Sequence, residues 1–300
     1  MTNLEQLLAD HTILLQKIIA EAKKEALSAN SSSSGSNGTS VSTVKLDLGA
    51  QILSTFENLT KDKKDNNLAS GFTMNPIKWT RNINCWAKSL DTTGFSMGIF
   101  GLGGVGGGTV ITKKHVLLSN HVPYPALPFL IYFTDINNNT YKYEVVKTKR
   151  VDNTDILIGE LDKEVDNNIK VYKILSRDYK KYLPSNFPIL YSDQEKKALI
   201  GDLLNVYTQP DGVNLAVGQH SNTNMSQYFE MLMVGDSGNP ISTIINNEIV
   251  LIGGWYKIWT SNTGLGTFLP SQIDIVNNTI ASMTVGYKVT EADLSGFKMY

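Results

Sequence analysis

The chain is poor in the features that would make several functional classes easy to assign. It holds a single cysteine, Cys85. No intrachain disulfide is possible, which excludes a disulfide-stapled secreted scaffold. Arginine is nearly absent, with Arg81, Arg150 and Arg177 the only three, and the net charge is −1. Nothing in this balance suggests nucleic acid or an anionic membrane surface as a partner. No apolar run approaches the roughly 18 residues of a membrane span, and residues 1–27 alternate apolar with charged positions, so neither a span nor a signal peptide is expected. The charged fraction is only 18%, and the hydrophobic fraction is 41%. Asn, Ser, Thr and Gly fill the remainder. The expectation is a protein maturing in a reducing cytoplasm, carried there or later on a particle such as a virion.

What is present falls into segments. Residues 3–27 carry Leu8, Thr12, Leu15, Ile19, Ala22 and Ala26 at alternating spacings of four and three, a coiled-coil seam. A lone helix of that length is marginal in water. Residues 4–27 are therefore expected to form a homo-oligomer or to dock on another virion protein. Residues 28–43 read as a flexible Ser/Gly linker. Residues 44–97 form an N-terminal extension, in which Leu48, Ile52, Leu53, Phe56 and Leu59 suggest a helix and Trp79, Cys85 and Trp86 suggest a core plug. From residue 98 to about 290, short alternating runs are separated by Asn- and Gly-rich turns such as Asn246-Asn247. That rhythm predicts a mainly β unit of about ten strands, too many for one barrel, hence two packed antiparallel barrels. Pro270–Val276 reads as helical, Thr284–Val289 as a last strand, and 291–300 as a tail.

One turn stands out, Gly235-Asp236-Ser237-Gly238-Asn239-Pro240, between two apolar runs. Glycines there permit a strained bend that exposes one hydroxyl and directs backbone N–H groups to one point. A nucleophilic serine needs a base, and the base an orienting acid. Of the four histidines, His121 follows a predicted strand and opens a loop, His115 begins the same strand, His220 lies in a polar loop and His11 on the N-terminal helix. Asp155 opens the apolar run Ile156–Leu161, with Asp152 as the competing acid in the preceding turn.

The stretch Gly107 to Ser119-Asn120-His121, the segment Thr154-Asp155-Ile156-Leu157 and the turn Gly235 to Pro240 together resemble the trypsin-like (chymotrypsin-fold) serine peptidases, over about residues 98–280. The order His, Asp, Ser is that family's order. The resemblance implies an endopeptidase needing neither cofactor nor metal and acting on protein or peptide. It implies Ser237 as nucleophile, His121 as base, Asp155 as orienting acid, and the N–H groups of Gly235 and Ser237 as the oxyanion hole. It places the substrate pocket at Met231, Gly253, Gly254 and Trp255, favouring a medium apolar side chain over Lys or Arg. The sequence departs from the pattern at Asn239, where glycine is usual. In many members a cleavage frees an N-terminus that pairs with the acid before the nucleophile. Phe95–Gly101 offers no Lys or Arg to cut at, so Asp236 is expected to find another partner. The rival expectation is a non-catalytic structural or adhesive virion protein using the same fold.

Overall fold

The computed structural model describes residues 45–62, 65–99, 106–183, 186–261 and 263–300. The helix expected over 3–27, with His11, and the linker over 28–43 lie outside the described residues. Residues 45–300 belong to one compact unit.

That unit is mainly β and built on two sheets, antiparallel except for one short parallel pair at the end of the second, as the strand rhythm predicts. The first contains β3 (Gly98–Ile99), β4 (Thr109–Thr112), β5 (His115–Ser119), β6 (Phe129–Thr134), β7 (Thr140–Arg150) and β8 (Ile156–Leu161), in the order β3-β6-β7-β8-β5-β4. A bridge between Phe95 and Thr109, beside the Ser96 N–H to Gly108 carbonyl bond of 2.9 Å, closes the two ends into a barrel. Alternation along the strands sends Val116, Leu118, Ile131, Phe133 and Val145 into its core.

The second sheet runs β13 (Pro240–Ile245), β10 (Phe187–Tyr191), β11 (Leu199–Gln209), β12 (Gly212–Gly218), β15 (Thr263–Thr267), β14 (Glu248–Thr260) and β9 (Lys173–Ile174). β13 also pairs with β14, which joins the ends of the antiparallel series. The link between these two strands is the Asn246-Asn247 turn, with φ of 53° and 61°. A two-residue hairpin needs left-handed backbone at both positions, and Asn tolerates it better than most residues.

The expected extension and tail do not stand apart from this unit. Helix α1 (Leu48–Thr60) is capped by Asp47, whose carboxylate accepts the Ala50 N–H at 2.8 Å. Its face Leu48, Ile52 and Phe56 is fully buried and belongs to the same core as β10 and β13. Trp86 is buried and donates its indole N–H to Ala198 at 2.8 Å. Phe297, in the tail, is 3% exposed, and Leu46 bridges to it. Trp79 is only half-buried and packs against Phe72 and Tyr132, so it does not share the core plug with Trp86.

Other departures are local. The hairpin of β1 (Ala69–Met74) and β2 (Ile77–Arg81) was not among the expected strands: β2 alternates in burial, but β1 is exposed at every residue after Ala69. The run Phe187–Tyr191 carries Pro188, which argues against a central strand. The polar loop at 218–226 contains the short helix α2 (Thr223–Ser226), capped by Asn222. Helix α3 extends over Ile273–Met283, behind a 3₁₀ turn at Leu269–Ser271. Thr284–Val289 is not a strand: Gly286 has φ 93° and sits in a turn after the helix.

Candidate active site

His121 and Asp155 are neighbours because β5 and β8 are antiparallel. The register pairs Ser119 with Ile156, so the residues just past the end of β5 meet those just before β8. The Asn120 N–H donates to the Asp155 carbonyl at 2.7 Å and locks the junction. Asp155 is 5% exposed. Its carboxylate accepts the His121 backbone N–H at 2.9 Å and lies 2.9 Å from His121 Nδ1. The Ser119 hydroxyl donates to the same carboxylate. An ionised carboxylate only accepts, so Nδ1 carries the imidazole proton and Nε2 presents its lone pair. His121 Nε2 lies 2.8 Å from Ser237 Oγ.

The structure thus brings His121, Asp155 and Ser237 into one hydrogen-bonded chain. The other histidines lie elsewhere. His115, at the far end of β5, is fully buried with Nδ1 2.9 Å from Thr112 Oγ1. His220 accepts the Asn222 N–H at 2.8 Å. Asp152 is exposed.

The turn holding Ser237 is tied on every side. The Gly238 N–H donates to the Trp255 carbonyl at 2.9 Å, and the Trp255 N–H returns to Asn239 at 3.0 Å. The Gly107 N–H donates to the Ser237 carbonyl at 3.0 Å, and the Gly106 N–H to the Gly235 carbonyl at 2.6 Å. Gly235 and Gly238 have φ of 112° and 80°, conformations that disfavour any residue with a Cβ. A Cβ on Gly238 would also lie 2.7 Å from the Gly107 carbonyl oxygen.

Two N–H groups are turned outward by the planarity of the peptide unit, in which C=O and N–H point opposite ways. The Asp236 carbonyl is held inward by the Asn239 backbone N–H at 3.1 Å and the Asn239 side-chain amide at 3.0 Å. The Ser237 N–H therefore faces the other side. The Val234 carbonyl accepts Gln194 Nε2 at 3.3 Å, so the Gly235 N–H points away from Gln194. Neither N–H donates to a partner among the described residues.

Asp236 does not point into the cleft as a free charge. It is 3% exposed, and its two oxygens accept the Met233 N–H at 2.7 Å and the Gln194 N–H at 3.0 Å. Burial raises its pKa and these bonds oppose the rise. Asn239 is 1% exposed. It lies beneath the turn, where its side chain accepts from Lys196 Nζ at 2.7 Å.

Beside Ser237 and His121 opens a cleft of about 490 Å³. It is lined by Leu232, Met233, Val234 and Trp255, and by Tyr256, Lys257 and Ile258 with Val122 and Pro123. Of the residues expected to form the pocket, Trp255 lines it. Met231, Gly253 and Gly254 do not, and this corrects the expectation. Gly253 packs against backbone, where a Cβ would meet the Thr267 carbonyl oxygen at 1.8 Å. Leu232 stands beside Trp255 in the cleft wall, one residue on from Met231. Leu232 Cδ1 lies 2.4 Å from where a Gly264 Cβ would stand, so its side chain fills the space that a bare glycine leaves. The Tyr256 ring packs against His121 at 5.7 Å between centroids and is held in turn by a hydroxyl bond to Asp211.

Ser119, Lys196 and Leu232 were not singled out in the sequence. Ser119 stands directly beside the motif around His121, and that adjacency was its only signal. Lys196 lies in Asp193-Gln194-Glu195-Lys196-Lys197, which reads as solvated loop.

No family model matches the chain, and no curated protein matches it. Among solved structures it is similar to the VesB protease of Vibrio cholerae, with 16% identity and a TM-score of 0.46 over 62% of this chain and 63% of that one. The chain thus covers less than two thirds of that structure.

Proposed function

We propose that the chain is a serine endopeptidase that cleaves peptide bonds through an acyl-enzyme. The observation that carries this is the continuous chain from Asp155 through His121 to Ser237 Oγ, with 2.9 and 2.8 Å links. Ser237 Oγ attacks the carbonyl carbon of the scissile bond while its proton moves to His121 Nε2. Asp155 holds the imidazole in the required tautomer and stabilises the imidazolium that forms. The carbonyl oxygen gains charge in the tetrahedral intermediate, and the outward N–H groups of Gly235 and Ser237 receive it. His121 then returns the proton to the leaving amine. Water, activated by the same base, releases the acyl group.

An extended peptide suits the cleft. β14 pairs with β13 only as far as Gly254, and beyond Trp255 it carries β15 on one edge. The other edge, along the cleft, has no strand on it among the described residues and can accept a chain in β geometry. The apolar side formed by Leu232, Met233 and Trp255 favours an apolar side chain next to the scissile bond.

The test is labelling with a fluorophosphonate probe. Folded wild-type protein is expected to label, and Ser237→Ala and His121→Ala are expected not to. Folded wild-type protein that never labels would favour the structural or adhesive alternative. We also propose that residues 4–27 carry this unit as an oligomer or on another virion component, on the ground of their heptad spacing alone. Deleting residues 1–30 is expected to lower the mass per assembly in sedimentation, and an unchanged mass would reject it.

A further inference from the structure

Lys196 is 6% exposed. Its backbone φ of 61° is left-handed, a conformation uncommon for a residue with a side chain. The neighbouring Lys197 behaves as a surface lysine, pairing with Glu195 and Glu230 at 2.7 and 2.8 Å. Lys196 instead reaches under the turn that holds Ser237, and its Nζ donates to Asn239 Oδ1 at 2.7 Å. The surroundings are enclosed: Asn239 is 1%, Asp236 3% and Asp193 7% exposed. Burial lowers the ammonium to about 8, opposed by the Asp193 and Asp236 carboxylates. A buried ammonium is costly, and a methionine of similar length would fill the space without that cost. Its presence calls for a task that an apolar side chain does not perform.

That task follows from the two ends of the Asn239 amide. An amide group can sit either way round, and a cation on one side decides which. With Oδ1 toward Lys196, Nδ2 is left to donate to the Asp236 carbonyl at 3.0 Å. The Asp236 carbonyl and the Ser237 N–H belong to one planar peptide unit and point in opposite directions. We propose that Lys196 is a positioning residue for the oxyanion hole: its ammonium sets the Asn239 amide, the amide anchors the Asp236 carbonyl inward, and the Ser237 N–H is thereby presented to the cleft. This rests on the hydrolase reading of Ser237. It also gives a role to Asn239 at a position where the resemblance leads one to expect glycine. Gly107 fits the same arrangement, since a Cβ there would lie 2.4 Å from Asn239 Oδ1.

The experiment uses the full chain and four variants: Lys196→Met, Lys196→Gln, Asn239→Ala and the double variant Lys196→Met/Asn239→Ala. Thermal unfolding first establishes that each is folded. Hydrolysis of a nitrophenyl ester is expected to show kcat lowered about 100-fold in Lys196→Met, the scale of losing one oxyanion donor, with KM changed less than about twofold. Lys196→Gln keeps an N–H donor toward Asn239 Oδ1 and is expected to recover at least about tenfold of that loss. The double variant is expected to be no slower than Lys196→Met, because both changes break one relay. Independently of activity, hydrogen exchange in the peptide spanning 233–239 is expected to quicken at least about tenfold in Lys196→Met, with 115–121 unchanged. Wild-type kcat in folded Lys196→Met, or losses that simply add in the double variant, would overturn the proposal. If wild-type protein hydrolyses no ester, the hydrolase reading fails. The exchange comparison then still decides whether Lys196 holds the turn, and equal exchange would overturn it.

Discussion

Ser119 Oγ donates to Asp155 Oδ2 while lying 3.0 Å from His121 Nδ1, so one buried hydroxyl touches both members of the acid–base pair. The Asp155 carboxylate thereby receives donors from the Ser119 hydroxyl, the His121 backbone and the His121 ring. Removing one of these loosens the aim of the carboxylate. Ser119→Ala is expected to lower kcat about tenfold, the order of a hydrogen bond to an ionised group. Steady-state kinetics beside wild type check this, and an unchanged kcat would show the hydroxyl to be idle.

Gly107 passes so close to Asn239 that an added Cβ would meet its Oδ1 at 2.4 Å and its Cα at 2.8 Å. The second atom is backbone, so side-chain rotation cannot relieve the clash. Gly107→Ala is expected to displace the Ser237 turn, lower kcat at least about 100-fold and lower the melting temperature by several degrees. Gly296→Ala is the control, because nothing lies within 4 Å of its Cβ position. It is expected to match wild type in both measurements.

Leu232, 8% exposed, closes the cleft wall against Gly264 and Trp255. Leu232→Ala removes that closure and deepens the apolar side. Profiling with a peptide library is expected to show aliphatic residues before the scissile bond in wild type, and a shift of about tenfold toward Phe and Tyr in the variant. A preference for Lys or Arg in wild type would contradict the apolar lining.

His115 is fully buried, Nε2 has no hydrogen-bond partner among the described residues, and burial lowers its pKa to about 4. The unfolded chain takes up the proton near pH 6.5. Between pH 6.5 and 4 the unfolded state binds a proton that the folded state refuses, so stability falls as the pH is lowered through that window. At pH 4.5 this amounts to about 2 kcal/mol relative to pH 7. Asp193, raised to about 6 by burial, acts in the opposite sense between its unfolded value and pH 6. Comparison with His115→Gln therefore isolates the histidine. Urea unfolding at pH 7 and 4.5 is expected to show the variant losing about 2 kcal/mol less than wild type, and parallel losses would refute the assignment.

From the sequence alone came the β rhythm, most strand positions and the turns at Asn246-Asn247 and Gly235–Pro240. These are local properties: alternation reports a half-buried strand, and Asn or Gly reports a left-handed bend. The order of His121, Asp155 and Ser237 was legible too, because each sits in a short motif at a strand end. Pairing, closure and burial belonged to the tertiary structure. β10 was hidden by Pro188, which a central strand seldom carries, and β15 by its glycines. Leu232 replaced Met231 in the cleft wall because a one-residue difference in register decides which side chain faces in. Lys196 shows the limit most clearly. Nothing in Gln194-Glu195-Lys196-Lys197 distinguishes its two lysines, and only the approach of residue 239, 43 positions away, decides which one is buried beneath Ser237.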